Sequence, residues 1–436
     1  MDASLAAQQP LNRLNIFATK GVQMRTFHLT WLTFFFCFFG WFGIAPLMPL
    51  VREQLHLDKG QIGNIVIASV SATILARLIM GKLCDTIGPR LAYTILLGVG
   101  AIPVLTIGLS NSYESFLLFR LAIGIIGASF VITQFHTSMM FAPNVVGTAN
   151  AVAGGWGNLG GGIANMVMPL VAAGFVSLGY VDKANSWRLA MVVPGVILLL
   201  MAALYYKYTQ DTPRGNYADI QRNAAVKSQG TFMVALRDYR TWILGLAYGA
   251  CFGIEITIDN VAAVYFVDHF GATLVAAGML AGIFGFMNIF ARGLGGVVSD
   301  RAGRAYGIQG KWMLLGGLLL LEGVGIAAFA LAPSLPLAIA AMLVFALFLK
   351  MANGCTYSIV PFVNTKAIGS VSGIVGAGGN LGAMLVGFLF KSATISYTTA
   401  FLYIGVGVAV VGGLVLLLRL VLKEATETAP MALAGA

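Results

Sequence analysis

Two arginines lie inside long apolar stretches of the sequence, at matching places in the two halves of the chain. Arg77 and Arg292 are 215 residues apart, and an aspartate, Asp85 or Asp300, follows each of them eight residues later. An arginine in a membrane span costs at least about 2.5–3.5 kcal/mol on insertion scales, which makes it a functional candidate. A guanidinium group offers a planar fork of donors that suits planar oxyanions, and it keeps its charge. The repeated position predicts one anion site shared between two halves.

The depth of the two arginines follows from helix geometry. Eight residues of helix rise about 12 Å, so arginines that lie eight residues inside an interfacial aspartate are near the centre of a bilayer. The alternative is that each arginine pairs with a buried carboxylate, for which Glu255, Asp259 and Glu322 are available.

The composition sets the class of protein. Of the 436 residues, 58% are hydrophobic and only 10% are charged, whereas soluble proteins carry about 25% charged residues. The apolar runs are about 20 residues long, which suffices for a helix to cross a bilayer. We therefore expect an all-α membrane protein. Residues 1–25 contain no hydrophobic core, so no cleavable signal peptide is expected.

The cysteines and histidines show no pattern that would support chemistry. The four cysteines are scattered without CxxC spacing, and the four histidines are dispersed. With no nucleophile, metal or cofactor constellation, we expect neither an enzyme nor a bound cofactor or metal. The stretch 155–160 reads GxGxxG, but it lies in an apolar span and lacks the preceding strand that a dinucleotide site requires.

Twelve apolar spans are predicted, and one long polar segment divides them into six and six. The net charge of +10 is concentrated in loops of one parity, which places both termini and the central loop in the cytoplasm and does not indicate nucleic-acid binding. We expect a multi-pass protein of the cell membrane, surrounded by lipid and monomeric. The predicted parts are an N-terminal tail 1–26, a six-helix half 27–207, a central loop 208–240, a second half 241–421 and a C-terminal tail 422–436.

Glycine-rich stretches repeat in the fifth and eleventh spans. The sequence GNLG occupies 157–160 and again 379–382. Small residues at GxxxG spacing let helices approach closely, which brings Asn158 and Asn380 toward a central path. The candidate site residues from these stretches include Gly154, Gly157 and Gly379; the alternative for the asparagines is that they bridge helices. Two similar six-span halves are typical of a transporter with its site near the midplane.

The seventh span carries three polar residues on one helical face, because Tyr248, Glu255 and Asp259 are spaced by seven and four. Tyr248 is a candidate donor to an oxyanion. Glu255 and Asp259 are candidates for proton binding, since burial favours the neutral form of a carboxyl group. Alternatively, these acids pair with Lys350 or with Arg120.

Two charged motifs resemble those of the major facilitator superfamily. The stretch Gly81–Arg90 resembles its loop motif and recurs at 296–304, and Arg120 with Gly124 resembles its fourth-helix arginine motif, with no counterpart in the tenth span. The resemblance implies a gating charge network and not a substrate site. The residues of this network are Asp85, Arg90, Arg120, Asp300, Arg301 and Arg304.

With these motifs, the chain resembles the nitrate/nitrite porter family of that superfamily. The stretches 154–162 and 376–382 resemble its two signatures, and 252–260 with Arg292 resembles its high-affinity branch. The resemblance implies a twelve-helix major facilitator fold that moves nitrate, and nitrite, by alternating access. It also implies that Arg77 and Arg292 grip the anion, that Asn158 and Tyr248 assist, and that the eleventh-span glycine stretch lines the path.

Energetics bears on how transport is coupled. Bringing one anion into a negative interior costs about 2.3 kcal/mol per 100 mV, so uptake needs more than one proton per nitrate or exchange against another anion. The exchangers of the family are thought to lack protonatable core residues, whereas this chain has Glu255 and Asp259, which favours proton symport. Nitrate/nitrite exchange, a carrier of small organic anions and a nitrate receptor without turnover remain the alternatives.

Overall fold

The computed structural model describes residues 9–142, 145–220, 231–364, 368–392 and 394–427. The side chains of Asp85 and of residues 220, 231, 368–369 and 418–427 lie outside this description. So do residues 1–8, 221–230 and 428–436, which belong to the predicted tails and central loop. The described chain is almost entirely helical.

The N-terminal half contains nine helices among the described residues. They are α1 Val22–Phe42, α2 Met48–Leu55, α3 Lys59–Ile87, α4 Pro89–Thr106, α5 Tyr113–Ile123, α6 Ser129–Met140, α7 Val146–Ser177, α8 Ser186–Ala190 and α9 Val192–Tyr208. Short 3-10 turns join α1 to α2 and α5 to α6, so each of these pairs forms one membrane-length unit.

The central loop and the C-terminal half follow with eight helices among the described residues. They are α10 Tyr217–Ile220, α11 Thr231–Arg237, α12 Tyr239–Phe270, α13 Leu274–Phe286, α14 Ala291–Ala330, α15 Leu335–Ile359, α16 Ile368–Lys391 and α17 Tyr397–Glu427. Local sequence accounts for several of the ends. Asp58 and Gln61 form a capping box before α3, and α12 ends at Gly271 in the left-handed conformation.

Eleven helical units of the described chain are long and apolar enough to cross a membrane, one fewer than the sequence predicts. The difference lies in the unit Leu274–Ala330, which has 57 residues and contains the eighth and ninth predicted spans. A straight helix of that length would extend about 85 Å, far more than one bilayer crossing. Helix α14 breaks at Tyr306 and at Gly307, whose φ is 63°. The unit therefore provides two crossings, in agreement with the twelve expected.

Helix packing repeats between the halves. The first crossing of each half packs on the fifth, as α1 on α7 and α12 on α16. Across the two halves, α3 packs on α16 and α7 on α13. Glycines make these approaches possible, because a Cβ at Gly382 would lie 2.3 Å from the carbonyl oxygen of Gly249, and one at Gly285 would lie 2.3 Å from the Cα of Gly162.

The two halves separate on the side where the central loop lies, which we call the central-loop side. A cavity of about 1520 Å³ extends from there to Arg77, and basic residues on its wall include Lys82, Arg304 and Lys311. On the opposite, far side, the halves are joined. Arg52 of α2 donates to both carboxylate oxygens of Asp268 of α12, at 3.0 and 3.1 Å.

Candidate functional site

The two intramembrane arginines meet at one pair of aromatic rings. Arg77 of α3 and Arg292 of α14 are buried, with 0% and 2% of their surfaces exposed. The guanidinium carbon of Arg77 lies 5.3 Å from the ring centre of Phe130 and 5.2 Å from that of Phe252. The corresponding distances for Arg292 are 5.5 and 5.7 Å. One arginine and one ring come from each half, so the halves build this centre jointly.

Arg292 has one strong neutral partner. Its Nη2 donates to the hydroxyl of Tyr248 at 3.0 Å, and the Tyr248 ring stacks on Phe252 with centres 4.7 Å apart. Its Nη1 lies 3.9 Å from Oε2 of Glu255 and has no hydrogen-bond partner among the described residues. The guanidinium is thus oriented by Tyr248 and keeps a donor for an anion.

Arg77 is held by backbone carbonyls of both halves. Its Nη1 donates to the carbonyl of Gly376 in α16, and its Nε donates to the carbonyl of Gly127 at 3.3 Å. Asn380 Nδ2 donates to the same Gly376 carbonyl at 3.4 Å. The eleventh-span glycine stretch therefore contacts Arg77 through its main chain.

Three candidate glycines allow helices to approach the site or its surroundings. A Cβ at Gly154 would lie 3.4 Å from Nε of Arg292, and one at Gly379 would lie 2.7 Å from Cδ1 of Tyr248. Gly157 has a different neighbour, since its Cβ would lie 1.8 Å from a ring carbon of Phe34. Gly157 therefore serves helix packing against α1, and the other two glycines pack against the site residues themselves.

Asn158 lies one helical turn after Gly154, on α7. It is fully buried, and neither its side-chain nitrogen nor its oxygen has a hydrogen-bond partner among the described residues. A buried amide without partners costs free energy, so Asn158 is a candidate for contact with a bound polar molecule.

Glu255 is the centre of a buried polar network beside the arginines. Its Oε1 accepts from Lys350 Nζ at 2.9 Å and from Asn288 at 2.7 Å, and its Oε2 accepts from Asn353 at 2.6 Å. The sequence predicts Lys350 only as an alternative partner of the acids of α12, and it predicts a role for neither asparagine nor for Phe130. Lys350 precedes Gly354 by four residues, which repeats the spacing of Arg120 and Gly124 and could have drawn attention to the tenth span.

Asp259 lies one turn further along α12 than Glu255. It is 2% exposed, and neither carboxyl oxygen has a hydrogen-bond partner among the described residues. The structure thus separates the two acidic candidates, because Glu255 has several donors and Asp259 has none in the described part of the chain.

The loop-motif residues lie at the central-loop side, away from the arginine pair. Asp300 pairs with Lys311 at 2.7 Å, and Arg301 and Arg304 are exposed. The side chain of Asp85 lies outside the described residues. The backbone N–H of Arg90 donates to Asp211 at 2.8 Å.

Asp211 ties the central loop to the first copy of the motif. Its carboxylate accepts from the backbone of Arg90 and, at 3.0 Å, from that of Tyr217. Burial raises the pKa of Asp211, and the two backbone donors oppose that shift. Gly88, with φ 87°, leaves room for this carboxylate, because a Cβ there would lie 2.5 Å from Oδ1.

Arg120 lies on the far side of the arginine pair and links the two halves. Its Nη1 donates to the carbonyl of Trp41 at 3.0 Å, and its Nη2 donates to Oδ1 of Asn260 at 3.1 Å. Together with Arg52 and Asp268 it lines a far-side chamber of about 300 Å³. Arg120 therefore contributes to the closure on that side.

Comparison with known proteins places this arrangement in a family. The model of the Major Facilitator Superfamily matches residues 30–387. A high affinity nitrate transporter, 2.5, of Arabidopsis thaliana is 40% identical over 92% of this chain and 80% of its own length. A high-affinity nitrate transporter, 2.3, of Oryza sativa subsp. japonica is 41% identical over 87% of this chain and 74% of its own. The chain belongs to the nitrate/nitrite porter family of the major facilitator superfamily.

More distant relatives agree with this placement. A nitrate/nitrite transporter of Nostoc punctiforme is 29% identical over 84% of this chain and 87% of its own. Among solved structures, a bacterial homologue of the human lysosomal transporter Spinster has a TM-score of 0.64 at 16% identity, covering 92% of this chain and 96% of that one. That likeness shows the shared fold. The protein is a multi-pass membrane transporter by family, and not an enzyme.

Proposed function

We propose that this protein carries nitrate, and also nitrite, across the membrane by alternating access. The observation that carries the proposal is the placement of Arg77 and Arg292, from opposite halves, on the same two aromatic rings. The two guanidinium groups offer planar arrays of donors to a planar anion. The transport of nitrate by the named relatives supports the same substrate.

A bound anion changes the balance of charge at the centre. Without it, two guanidinium groups lie against the same pair of rings, and their repulsion opposes approach of the halves. With it, one negative charge lies between two positive ones, and closure over the anion becomes favourable. This coupling between binding and closure is the basis of alternating access in our proposal.

The open and closed sides define the state of the carrier. The wide cavity reaches Arg77 from the central-loop side, while Arg52 and Asp268 join the halves on the far side. We assign the central-loop side, with both termini, to the cytoplasm, because the basic loops lie there. The conformation is then open to the cytoplasm, and the transporter works as a monomer in the cell membrane.

We further propose that uptake is driven by protons, with Glu255 and Asp259 as the candidate proton-binding residues. Both acids lie in α12 on the far side of Tyr248, beside the anion site. Moving nitrate into a negative interior requires either positive charge that moves with it or exchange for another anion. Buried carboxyl groups can bind the protons that carry this positive charge. Exchange of nitrate for nitrite is the competing form of the same function.

The substrate is tested by counterflow of labelled nitrate into proteoliposomes that contain the purified full chain and unlabelled nitrate. Arg77→Lys and Arg292→Lys keep the charge but lose the forked donors, so we expect nitrate affinity to fall at least about tenfold, which corresponds to 1.4 kcal/mol. Arg188→Lys is the control, because Arg188 binds the carbonyl of Ser110 outside the site. Near-normal nitrate affinity in both site variants would contradict the two-arginine site.

The same vesicles separate the alternatives. Accumulation driven by an inward proton gradient alone indicates symport, and uptake that requires internal nitrite indicates exchange. Strong competition by small carboxylates points to an organic-anion carrier. Nitrate binding without any flux points to a receptor.

A further inference from the structure

Three acids are buried in the described part of the C-terminal half, and they differ in their partners. Glu255 accepts hydrogen bonds from Lys350, Asn288 and Asn353. Asp259 and Glu322 are equally buried, yet none of their carboxyl oxygens has a hydrogen-bond partner among the described residues. Since Lys350 already donates to Glu255, two more negative charges would lack a cation of their own. We therefore treat Glu255 as the charged partner of Lys350 and the other two as neutral acids in this conformation.

Asp259, one of the two neutral acids, lies against the opposite half. Oδ2 of Asp259 lies 3.3 Å from the position that a Cβ would take at Gly161 of α7, in the opposite half. Asn165 of α7 donates to the backbone carbonyl of Asp259 at 3.3 Å, and not to its carboxyl group. Glu322, in α14, lies within electrostatic range of Glu255, Lys350 and Cys251, all of its own half.

The contact with α7 belongs to the far-side closure. Asn260, the next residue after Asp259, accepts from Arg120 of the other half and lines the far-side chamber. Parting of the halves on the far side would move Gly161 and Asn165 away from Asp259 and expose the carboxyl group to water. When the halves close, Gly161 covers it. The charged groups that act on Asp259 are Lys350 and Glu255, which already neutralise each other.

We propose that Asp259 is a proton-binding residue that couples protons to nitrate, and that the far side closes only when this carboxyl group carries a proton. The inference rests on the proposed nitrate transport. An ionised Asp259 under Gly161 would be a buried charge without a hydrogen-bond donor, so closure with the proton on is strongly preferred. The proton is taken up from the far side before closure. After nitrate has left, loss of the proton to the cytoplasm leaves an uncompensated buried charge, which favours reopening of the far side.

The variants that test this are Asp259→Asn, which mimics the protonated acid, and Glu322→Gln as the matched control inside one half. In proteoliposomes with an inward proton gradient, we expect nitrate accumulation by Asp259→Asn to be at least about tenfold lower than that of the unmodified protein. Nitrate-dependent proton uptake, measured with a trapped pH dye, should fall by a similar factor. Counterflow of nitrate at equal pH should persist in this variant. Glu322→Gln should retain coupling. The proposal would be overturned if Asp259→Asn still accumulated nitrate in response to the proton gradient. It would also be overturned if Glu322→Gln lost this accumulation and Asp259→Asn did not.

A second measurement needs no transport at all. The four native cysteines are buried, so Val264→Cys in the far-side chamber reports opening through labelling by a membrane-impermeant maleimide. One linked proton changes the opening equilibrium by up to about tenfold per pH unit, and deprotonation favours the open far side. We expect labelling, corrected for maleimide reactivity with a thiol peptide, to rise with pH and to become independent of pH in Asp259→Asn.

Corrected labelling of Val264→Cys that does not vary with pH would refute the proposal. Failure of nitrate counterflow in the unmodified protein would instead refute the substrate.

Discussion

At the scale of single residues, the site is defined by how each arginine is held. Arg292 is oriented by the hydroxyl of Tyr248, and Arg77 by main-chain carbonyls. These partners are neutral, so they orient the guanidinium groups without cancelling their charge. Glu255, 3.9 Å from Arg292, directs its hydrogen-bonding capacity to Lys350 and two asparagines. The positive charge that an anion requires is thereby retained.

The role of the tyrosine hydroxyl leads to a prediction. Tyr248→Phe removes the acceptor for Nη2 of Arg292, and hydrogen bonds to charged groups contribute about 1.5–3 kcal/mol. We expect nitrate affinity, measured by calorimetry on the detergent-purified protein, to fall by about tenfold or more. Tyr205→Phe is the control, since the hydroxyl of Tyr205 bonds to Thr30 and His136 away from the site. Equal affinities in the two variants would show that Tyr248 does not orient Arg292.

At the scale of helices, glycines decide how closely the elements around the site approach. The eleventh crossing, α16, contacts α12 at Tyr248 and Phe252 through Gly379. Its Gly376 carbonyl reaches Arg77 of α3. One helix therefore contacts residues of both halves, and its small side chains let it pack without displacing the aromatic rings.

Adding a single methyl group tests this packing. In Gly379→Ala the new Cβ would lie 2.7 Å from a ring carbon of Tyr248 and 2.8 Å from one of Phe252, so rings or helix must shift. We expect nitrate transport to fall at least about tenfold, since displacements of about 1 Å at a site can cost that much or more. Gly373 lies on the same helix, and a Cβ there would have no neighbouring atom within 4 Å outside the backbone of its own helix. Gly373→Ala should therefore transport normally. Normal flux by Gly379→Ala would show that the contact tolerates the added volume.

At the scale of the whole molecule, an ion pair and a buried arginine join the two halves on the far side. The far side is closed by Arg52 with Asp268 and by Arg120 with Asn260. On the central-loop side they enclose the wide cavity. The opposite conformation, open on the far side, requires these far-side contacts to break.

Weakening the outermost contact should shift the balance between conformations. Arg52 and Asp268 are partly exposed, and such pairs contribute up to about 1 kcal/mol. We expect Arg52→Ala to speed maleimide labelling of Val264→Cys by about two- to fivefold, because the far side opens more often. Lys183→Ala, which removes an exposed charge in the loop after α7, serves as the control. Unchanged labelling in Arg52→Ala would mean that this ion pair does not restrain opening.

The sequence predicts the helices and the polar residues within them better than it predicts the apolar residues of the site. Arg77, Arg292, Tyr248 and the glycine stretches could be found because a polar or small residue in an apolar span stands out. Phe130 could not, since a phenylalanine among other apolar residues in a membrane span carries no such signal. Gly307, where α14 breaks, lies in the loop that the sequence predicts between the eighth and ninth spans. The sequence does not indicate that helix continues on both sides of this break.

The sequence by itself determined the class of protein, the division into two six-helix halves and the residues that carry charge into the membrane. Those properties depend on local hydrophobicity and on the cost of each buried charge, which can be read along the chain. Only the tertiary structure decided which acid accepts the hydrogen bond of Lys350, a residue 95 positions from Glu255 in the sequence. It also decided which acid lies against the opposite half. A carboxyl group's partner depends on distances between helices that are far apart in the chain, and no local pattern encodes those distances.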